Sequence, residues 1–482
     1  MKTASRSGRS SRVRLLLTFL GGVATAALAG VVVDANRSEA ADRYQDLGLF
    51  SSVVDHVRRH YVEPIDEHEL LSGAIRGMMG ELDPHSAFME PKQYKEMQID
   101  TRGEFHGLGI EITKAPNSFV EVVSPIEGTP ADRAGIRARD QIVRICPTER
   151  PDEWEESEEC RSTERMTLPE AVSLMRGKKG TEITVHIYRE GFEEPRPYTV
   201  VRDVVQIESV AGEMLEPGYG YLRIRQFQER TAADLEDELE RFAKEAPDGL
   251  SGVVLDLRDN PGGLLDQGVR VANLWLDDGL IVYTQGRDDS QRQDFRAHAA
   301  GTQPSYPLVV IVNEGSASAS EIVAGALQDQ QRALVLGVAT FGKGSVQTVY
   351  PIGRRYGLRL TTALYYTPSG RSIQEVGIEP DIEVRPQARR APGAAPRRVR
   401  ERDLHGHFTH EEAEPDEADE LDEPEGEDEA RDQPAEGDGS SRREDLQVRR
   451  ALEVLKSWTY FERLRSDEPE PILAAEAPSP TD

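Results

Sequence analysis

The run Leu308-Val309-Val310-Ile311-Val312-Asn313-Glu314-Gly315-Ser316-Ala317-Ser318-Ala319-Ser320-Glu321 organises the reading of this 482-residue chain. Five apolar residues ending at a small-residue turn read as a buried strand. Ala319 to Gln328 then reads as a helix, and Ala333 to Val338 as another strand. A strand that turns directly into a helix exposes a side chain at the turn. It also aims unpaired N–H groups and the positive helix end at that point, which suits a developing oxyanion. A serine there is a candidate nucleophile, but it stays inert until a base takes its proton.

Histidine is the usual base, yet between Val201 and Arg385 there is one, His298, in a polar, loop-like stretch. Lys343 is the only lysine between Glu245 and Leu455, in a region otherwise served by arginine, which does not deprotonate at working pH. A lysine base must fall from about 10.4 to near 7, a cost of about 4.6 kcal/mol that burial supplies. Lys343 is therefore expected to be shielded from water.

Working outward, strands and helices alternate from Val201 to Val384: Tyr219 to Ile224, a helix Ala232 to Lys244 capped by Thr231, Gly252 to Leu257, and a helix Leu264 to Trp275. This is the pattern of an α/β layered domain. Before it, Gly107-Leu108-Gly109-Ile110 opens alternating segments, and Thr167 with Glu170 three residues on forms a capping box for a helix from Leu168 to Arg176. That arrangement resembles the PDZ domain in its circularly permuted bacterial form. The resemblance implies that backbone N–H groups of Gly107 to Ile110 hold a substrate's terminal carboxylate while the peptide adds as a strand. The acid-rich run Pro147 to Arg165 reads as a solvated insertion.

The ends differ in character. Lys2, Arg6, Arg9, Arg12 and Arg14 precede an apolar run from Leu15 to Val33, an export signal that is either cleaved after Ala27-Leu28-Ala29 or kept as a membrane anchor. Tyr44 to Thr101 carries apolar residues at helical spacing, including Leu47, Phe50, Val54 and Val57. Beyond Pro386 the chain turns Arg/Pro/Ala-rich, and Glu411 to Glu429 holds thirteen acids without Lys or Arg, the composition of a disordered linker. Leu452, Leu455, Trp458 and Phe461 then mark an amphipathic helix. The net charge of −29 argues against nucleic acid as a partner. Cys146 and Cys160 either pair or stay free; a bond would close a loop worth about 3 kcal/mol. Two cysteines without histidine neighbours in sequence do not make a structural zinc site.

With Leu82-Asp83-Pro84-His85-Ser86, Asp256-Leu257-Arg258-Asp259-Asn260-Pro261-Gly262-Gly263, the serine run, Phe341-Gly342-Lys343-Gly344-Ser345-Val346-Gln347 and Thr367-Pro368-Ser369-Gly370-Arg371-Ser372-Ile373, the chain resembles the C-terminal processing (tail-specific) serine/lysine peptidases. The resemblance implies Ser318 as nucleophile, Lys343 as general base and Gln347 as the residue orienting the lysine. It implies an oxyanion hole from the backbone N–H of Ala319 and of either Gly262 or Gly263, and an accessory position at Asp329. No metal or other cofactor is implied. The partners implied are exported proteins with exposed C-terminal tails, an adaptor protein and further copies of the chain, in the periplasm or at the inner membrane facing it.

Two rivals remain in view. Gly337 to Lys343 fits seven positions of a phosphate loop, but Gly344 replaces the metal-binding Ser/Thr and a strand follows instead of a helix. A catalytically inactive PDZ scaffold would share the same modular order. The fold expected is α+β multidomain: signal peptide or anchor at 1–40, N-terminal helical region at 41–101, PDZ domain at 102–200 with an acidic insertion at 147–165, peptidase core at 201–385, disordered acidic linker at 386–444, C-terminal helix at 445–466 and disordered tail at 467–482.

Overall fold

The computed structural model describes residues 45–386, 399–409 and 445–465, apart from residues 149, 152, 153 and 156. The segment expected to direct export, most of the expected linker and the expected C-terminal tail lie outside the described residues. Among the described residues no helix is long and apolar enough to cross a membrane. The chain divides into two compact units, Met1–Met78 and Met79–Asp482. The first carries helix α1 over 45–60 and most of α2 (Glu67–Gly80).

The second unit is built around a six-stranded sheet in the order β10-β11-β12-β15-β16-β19. Its strands are β10 (Val210–Glu216), β11 (Tyr219–Ile224), β12 (Gly252–Asp256), β15 (Leu308–Val312), β16 (Leu334–Gly337) and β19 (Ile382–Glu383). All neighbours are parallel except the β10/β11 edge pair. Side chains alternate between two buried faces, which is why these strands read as continuous apolar runs. Leu222, Leu255, Val310 and Val312 meet a layer made by α6 (Thr231–Glu245), α7 (Leu265–Asn273) and α8 (Ala319–Asp329). Tyr221, Val254, Val309 and Ile311 face the other way, onto α9 (Leu446–Arg465).

Helix α9 docks through Val448, Ala451 and Leu455, spaced as one helical face, while Phe461 remains 63% exposed. Of the expected stripe, Leu455 is buried and Leu452 packs beside it, whereas the end at Phe461 turns away from the sheet. Helical spacing alone does not reveal which of two adjoining apolar stripes meets the sheet. Asp445 and Gln447 anchor the start of α9 on the guanidinium of Arg258. Leu455 is fully buried against Gly252, where an added Cβ would come within 3.1 Å of it. Leu455→Ala is expected to cost about 2–5 kcal/mol, read as a lower urea midpoint with an unchanged slope.

A second sheet joins β1 (Ala87–Met89), β18 (Tyr356–Tyr366), β13 (Leu280–Gln285) and β14 (Gln293–Arg296), with β17 (Ser345–Ile352) paired to β18. The β1–β18 pairing sets the Asp83–Ser86 turn against the lysine-bearing segment. Helix α3 (Pro91–Arg102) follows β1 and ends at Gly103, whose φ of 70° is the left-handed conformation of a helix stop.

The preceding module has its own sheet, β3 (Ile110–Thr113), β4 (Val120–Pro125), β5 (Gln141–Pro147), β7 (Glu182–Tyr188) and β8 (Arg196–Val201), with β6 (Arg161–Ser162) paired to β5. Its short helices are α4 (Pro130–Arg133) and α5 (Leu168–Met175), and β2 (Glu104–Gly107) pairs with β9 (Asp203–Gln206). Thr167 and Glu170 form the capping box of α5.

Three expectations need correction. The insertion is not simply solvated: Trp154 is 6% exposed in the module's core, Arg161 stacks over its ring, and Cys146 and Cys160 are joined in a disulfide. Thr231 is not the N-cap but the first helical residue of α6, accepting from the Gln228 amide. The linker is not uniformly unstructured, because residues 399–409 form an ordered strap with a short 3₁₀ turn at Glu401–Asp403. Its composition hid this, since the few residues that dock it are polar.

Candidate active site

Ser318 is the residue immediately before α8, with φ 57° and ψ −115°. A non-glycine residue pays of order 1–3 kcal/mol for such a conformation, which persists only where the surroundings enforce it. Here they do. Ser316 Oγ donates to Leu257 O, Ser320 Oγ donates to Asn260 O, and the Ala317 amide donates to the same carbonyl. Asn313 and Asp259 exchange hydrogen bonds across the two turns. The flanking serines are consumed in holding the turn, which leaves Ser318 as the one of the three not tied to the neighbouring loop.

The second staple is Glu321, three residues into the helix and fully buried. Its carboxyl accepts from the Ser318 amide at 2.7 Å, Thr340 Oγ1 at 2.5 Å, the Gly342 amide at 2.7 Å and the Lys343 amide at 3.0 Å. One side chain thereby locks the Ser318 turn to the loop that carries Lys343. Burial pushes this carboxyl up to about 7, against the four donors that favour its ionised form. Tyr365, from β18, forms another link: its hydroxyl donates to Lys343 O at 2.6 Å.

Lys343 lies between β16 and β17 and is largely shielded. Burial pushes its amine below the ordinary lysine value and the nearby Arg359 adds to this, while Glu401, Glu321 and Asp83 pull the other way. Asp83 itself sits in the Leu82–Ser86 turn. Burial would raise it, but the Ser86 hydroxyl, the His85 and Ser86 amides and Thr361 Oγ1 together hold it below the usual carboxylate range. Gln347, at a bulge in β17, donates through its amide nitrogen to Ser345 Oγ at 3.0 Å and Thr361 Oγ1 at 3.3 Å.

The two glycine candidates for the oxyanion site are distinguishable. The Gly262 amide is spent on Asn260 Oδ1 at 2.9 Å, whereas the amides of Gly263 and Ala319 take no partner among the described residues. A Cβ at Gly262 would lie 2.7 Å from Ser318 Cβ and 3.0 Å from Ala319 N, so only glycine leaves the space beside that amide open. Asp329 stands apart. It ends α8, about 16 Å along the axis from Ser318 by helix rise, and binds the Ser369 amide and the Arg371 guanidinium. It pins the Thr367–Ile373 turn and does not reach the serine.

In the smaller module β3 is an edge strand, so one side of it is open to another strand. The Leu108 and Gly109 carbonyls are occupied inside the domain, by the Ala131 amide and by the Ile126 amide. Gly109, at φ 77°, would drive a Cβ to 2.3 Å from Thr129. The loop thus depends on glycine for its shape.

Residues 218–384 match peptidase family S41, residues 96–188 match the PDZ domain, and residues 24–93 match the activating protease CtpB N-terminal domain. Fold and site therefore define an S41 peptidase carrying a PDZ module. Over 77% of its length the chain is 44% identical to the carboxy-terminal-processing protease of Bartonella bacilliformis, covering 83% of that protein. It is 37% identical to the carboxyl-terminal-processing protease of Synechocystis sp., over 67% of this chain and 74% of that one. Against carboxy-terminal processing protease CtpA of Bacillus subtilis the values are 33%, 68% and 67%. The chain belongs to the C-terminal processing peptidase family.

Sequence reasoning missed Glu321, Tyr365, Glu401 and Gln374, whose Oε1 accepts from the Gly344 amide beside Lys343, as parts of this site. Glu321 was visible as the acid three residues after Ser318, the spacing at which a side chain reaches back over a helix start. The other three carried no local signal, because they come from segments that meet the lysine loop only in the folded chain.

Proposed function

We propose that this chain is a serine endopeptidase that shortens exported proteins at or near their C-terminal tails, with Ser318 as nucleophile and Lys343 as general base. The observation that carries this reading is the Glu321 carboxyl, which holds the strained serine turn and the shielded lysine loop as one body. A neutral Lys343 Nζ takes the Ser318 Oγ proton as the oxygen bonds to the peptide carbonyl carbon. The oxyanion is received by the amides of Ala319 and Gly263. The resulting ammonium returns its proton to the leaving amine as the C–N bond breaks, leaving an acyl-enzyme. Water, deprotonated by the same amine, then releases the product. Gln347, whose nitrogen is committed to Ser345 and Thr361, is the residue assigned to orienting the lysine.

The PDZ module receives the substrate's terminal carboxylate at Gly107-Leu108-Gly109-Ile110 and its strand along β3. The basic and apolar start of the chain places the enzyme beyond the inner membrane, cleaved or anchored, where an adaptor and further copies of the chain assemble with it. The test is a folded reporter with an unstructured apolar-ended tail, offered with a free or an amidated C-terminus. Tail trimming is expected, slower for the amide, and reporter left intact in both forms would overturn the reading.

A further inference from the structure

Glu401 belongs to the strap 399–409, beyond the end of the S41 match at residue 384, yet it is completely buried. Its amide donates to Phe341 O, two residues before Lys343. Its carboxylate meets His85 Nε2 at 2.8 and 2.9 Å and accepts from Gln374 Nε2 at 3.0 Å, while Gln374 Oε1 accepts from the Gly344 amide. Glu401 is thus tied to both sides of Lys343, by its amide on one and through Gln374 on the other. Arg400 donates to Thr340 O and Val376 O, Gln374 donates to Phe408 O, and His407 is paired with Glu375, so the strap is fastened along its length.

A buried carboxylate needs compensating positive charge or several hydrogen-bond donors. Burial alone would raise Glu401, but the bonds from His85 and Gln374 outweigh it and favour its ionised form. The charged and titratable groups facing Lys343 are Glu401 from the strap, Arg359 and Tyr365 from β18, Glu321 from α8 and Asp83 from the turn before β1. His85 lies behind Glu401, and Arg359 Nε donates to the His85 carbonyl. At the strap's other end the Leu404 carbonyl and Glu375 hold His407 above its ordinary value, although burial opposes them.

We propose that Glu401 is a positioning residue for the peptidase reaction: delivered by the strap and held by His85 and Gln374, its carboxylate favours the charged form of the Lys343 amine and so sets the pH at which the base becomes available. This rests on the Ser318/Lys343 reading. A neutral isostere at 401 keeps the strap's shape but frees the lysine to lose its proton at lower pH.

The experiment is the pH profile of kcat/KM for tail cleavage by the full chain. Glu401→Gln is expected to move the acid limb downward by about one pH unit, on the order of what removing one nearby opposite charge does. Activity below the wild-type limb would then rise roughly tenfold, while Glu401→Asp keeps a limb near wild type. His407→Gln, which loosens the strap without touching the carboxylate, is expected to shift the limb the same way by less, and it serves as the readout if Glu401→Gln does not fold. Profiles that superpose on wild type, or a change in rate with no movement of the limb, would overturn the proposal. Lys343→Met separates the two readings: if it stays active, the Ser/Lys assignment fails; if it is dead while the limb does not move, only the role of Glu401 fails.

Discussion

Lys343→Met removes tail cleavage at every pH, with a loss on the order of 10⁴- to 10⁶-fold, and Ser318→Ala does the same. The two losses do not add, because serine and lysine act in one proton transfer and removing either stops it. Lys343→Arg is equally inactive, since a guanidinium keeps its proton. In wild type the rate rises with pH through the Lys343 ionisation, below the ordinary lysine range because burial and Arg359 disfavour the ammonium. The same shift predicts a stability change of the same sense. The unfolded lysine binds a proton more readily than the folded one, so the folded state is penalised below the folded value and relieved as pH rises. Methionine has no such penalty. Lys343→Met is therefore expected to melt no lower than wild type at neutral pH, and a substantially lower Tm with retained activity would contradict both claims. The measurements are a pH–rate profile and a thermal melt on the same preparations.

Glu321→Gln carries the second large effect, although it leaves size and shape almost unchanged. Each carboxyl oxygen accepts two donors, Oε1 from Thr340 and Gly342 and Oε2 from Ser318 and Lys343. An amide offers one accepting oxygen, so its NH₂ must face two donors whichever way it turns. Leaving those groups unpaired in the interior is expected to cost about 2–4 kcal/mol. The two loops part, and a displacement of even about 1 Å lowers kcat on the order of 10²-fold. KM is expected to change less, because the PDZ module is untouched. A pH signature accompanies this. With its folded value raised to about 7, Glu321 binds more protons in the folded than in the unfolded state, so its contribution to stability falls as pH rises toward 7. Glutamine lacks that dependence, so the stability gap between variant and wild type is widest near about pH 5 and narrows toward about pH 8. Urea titrations at both values check it, and a gap that widened with pH would refute the assignment.

The legible parts of the site share a feature: their chemistry is encoded within a few neighbouring residues. Small residues between an apolar run and a helix announce the Ser318 turn, and Lys343 stands out because its region holds no other lysine. Gly262 and Gly263 were legible as a pair but not separately, since the choice depends on Asn260 folding back to occupy one amide. Resemblance implies only an accessory position at Asp329. In the fold it closes the far end of α8, because a helix separates its ends however short the sequence between them. The strap was misread for the opposite reason: a segment whose docking rests on Arg400, Glu401 and His407 has the composition of a solvated one.

By itself the chain's local pattern determined the alternation of strands and helices, the serine-rich turn and the lone lysine of its region, while resemblance singled out Ser318 and named the modules. Periodicity and turn chemistry act between near neighbours and can be read without coordinates. Only the tertiary structure decided which carboxylates surround the amine, which glycine amide stays open and which face of α9 is covered. Those outcomes depend on contacts such as that between Glu401 and His85, whose partners are 316 residues apart. Burial and charge at such meetings are properties of the assembled space, and no short window of sequence contains them.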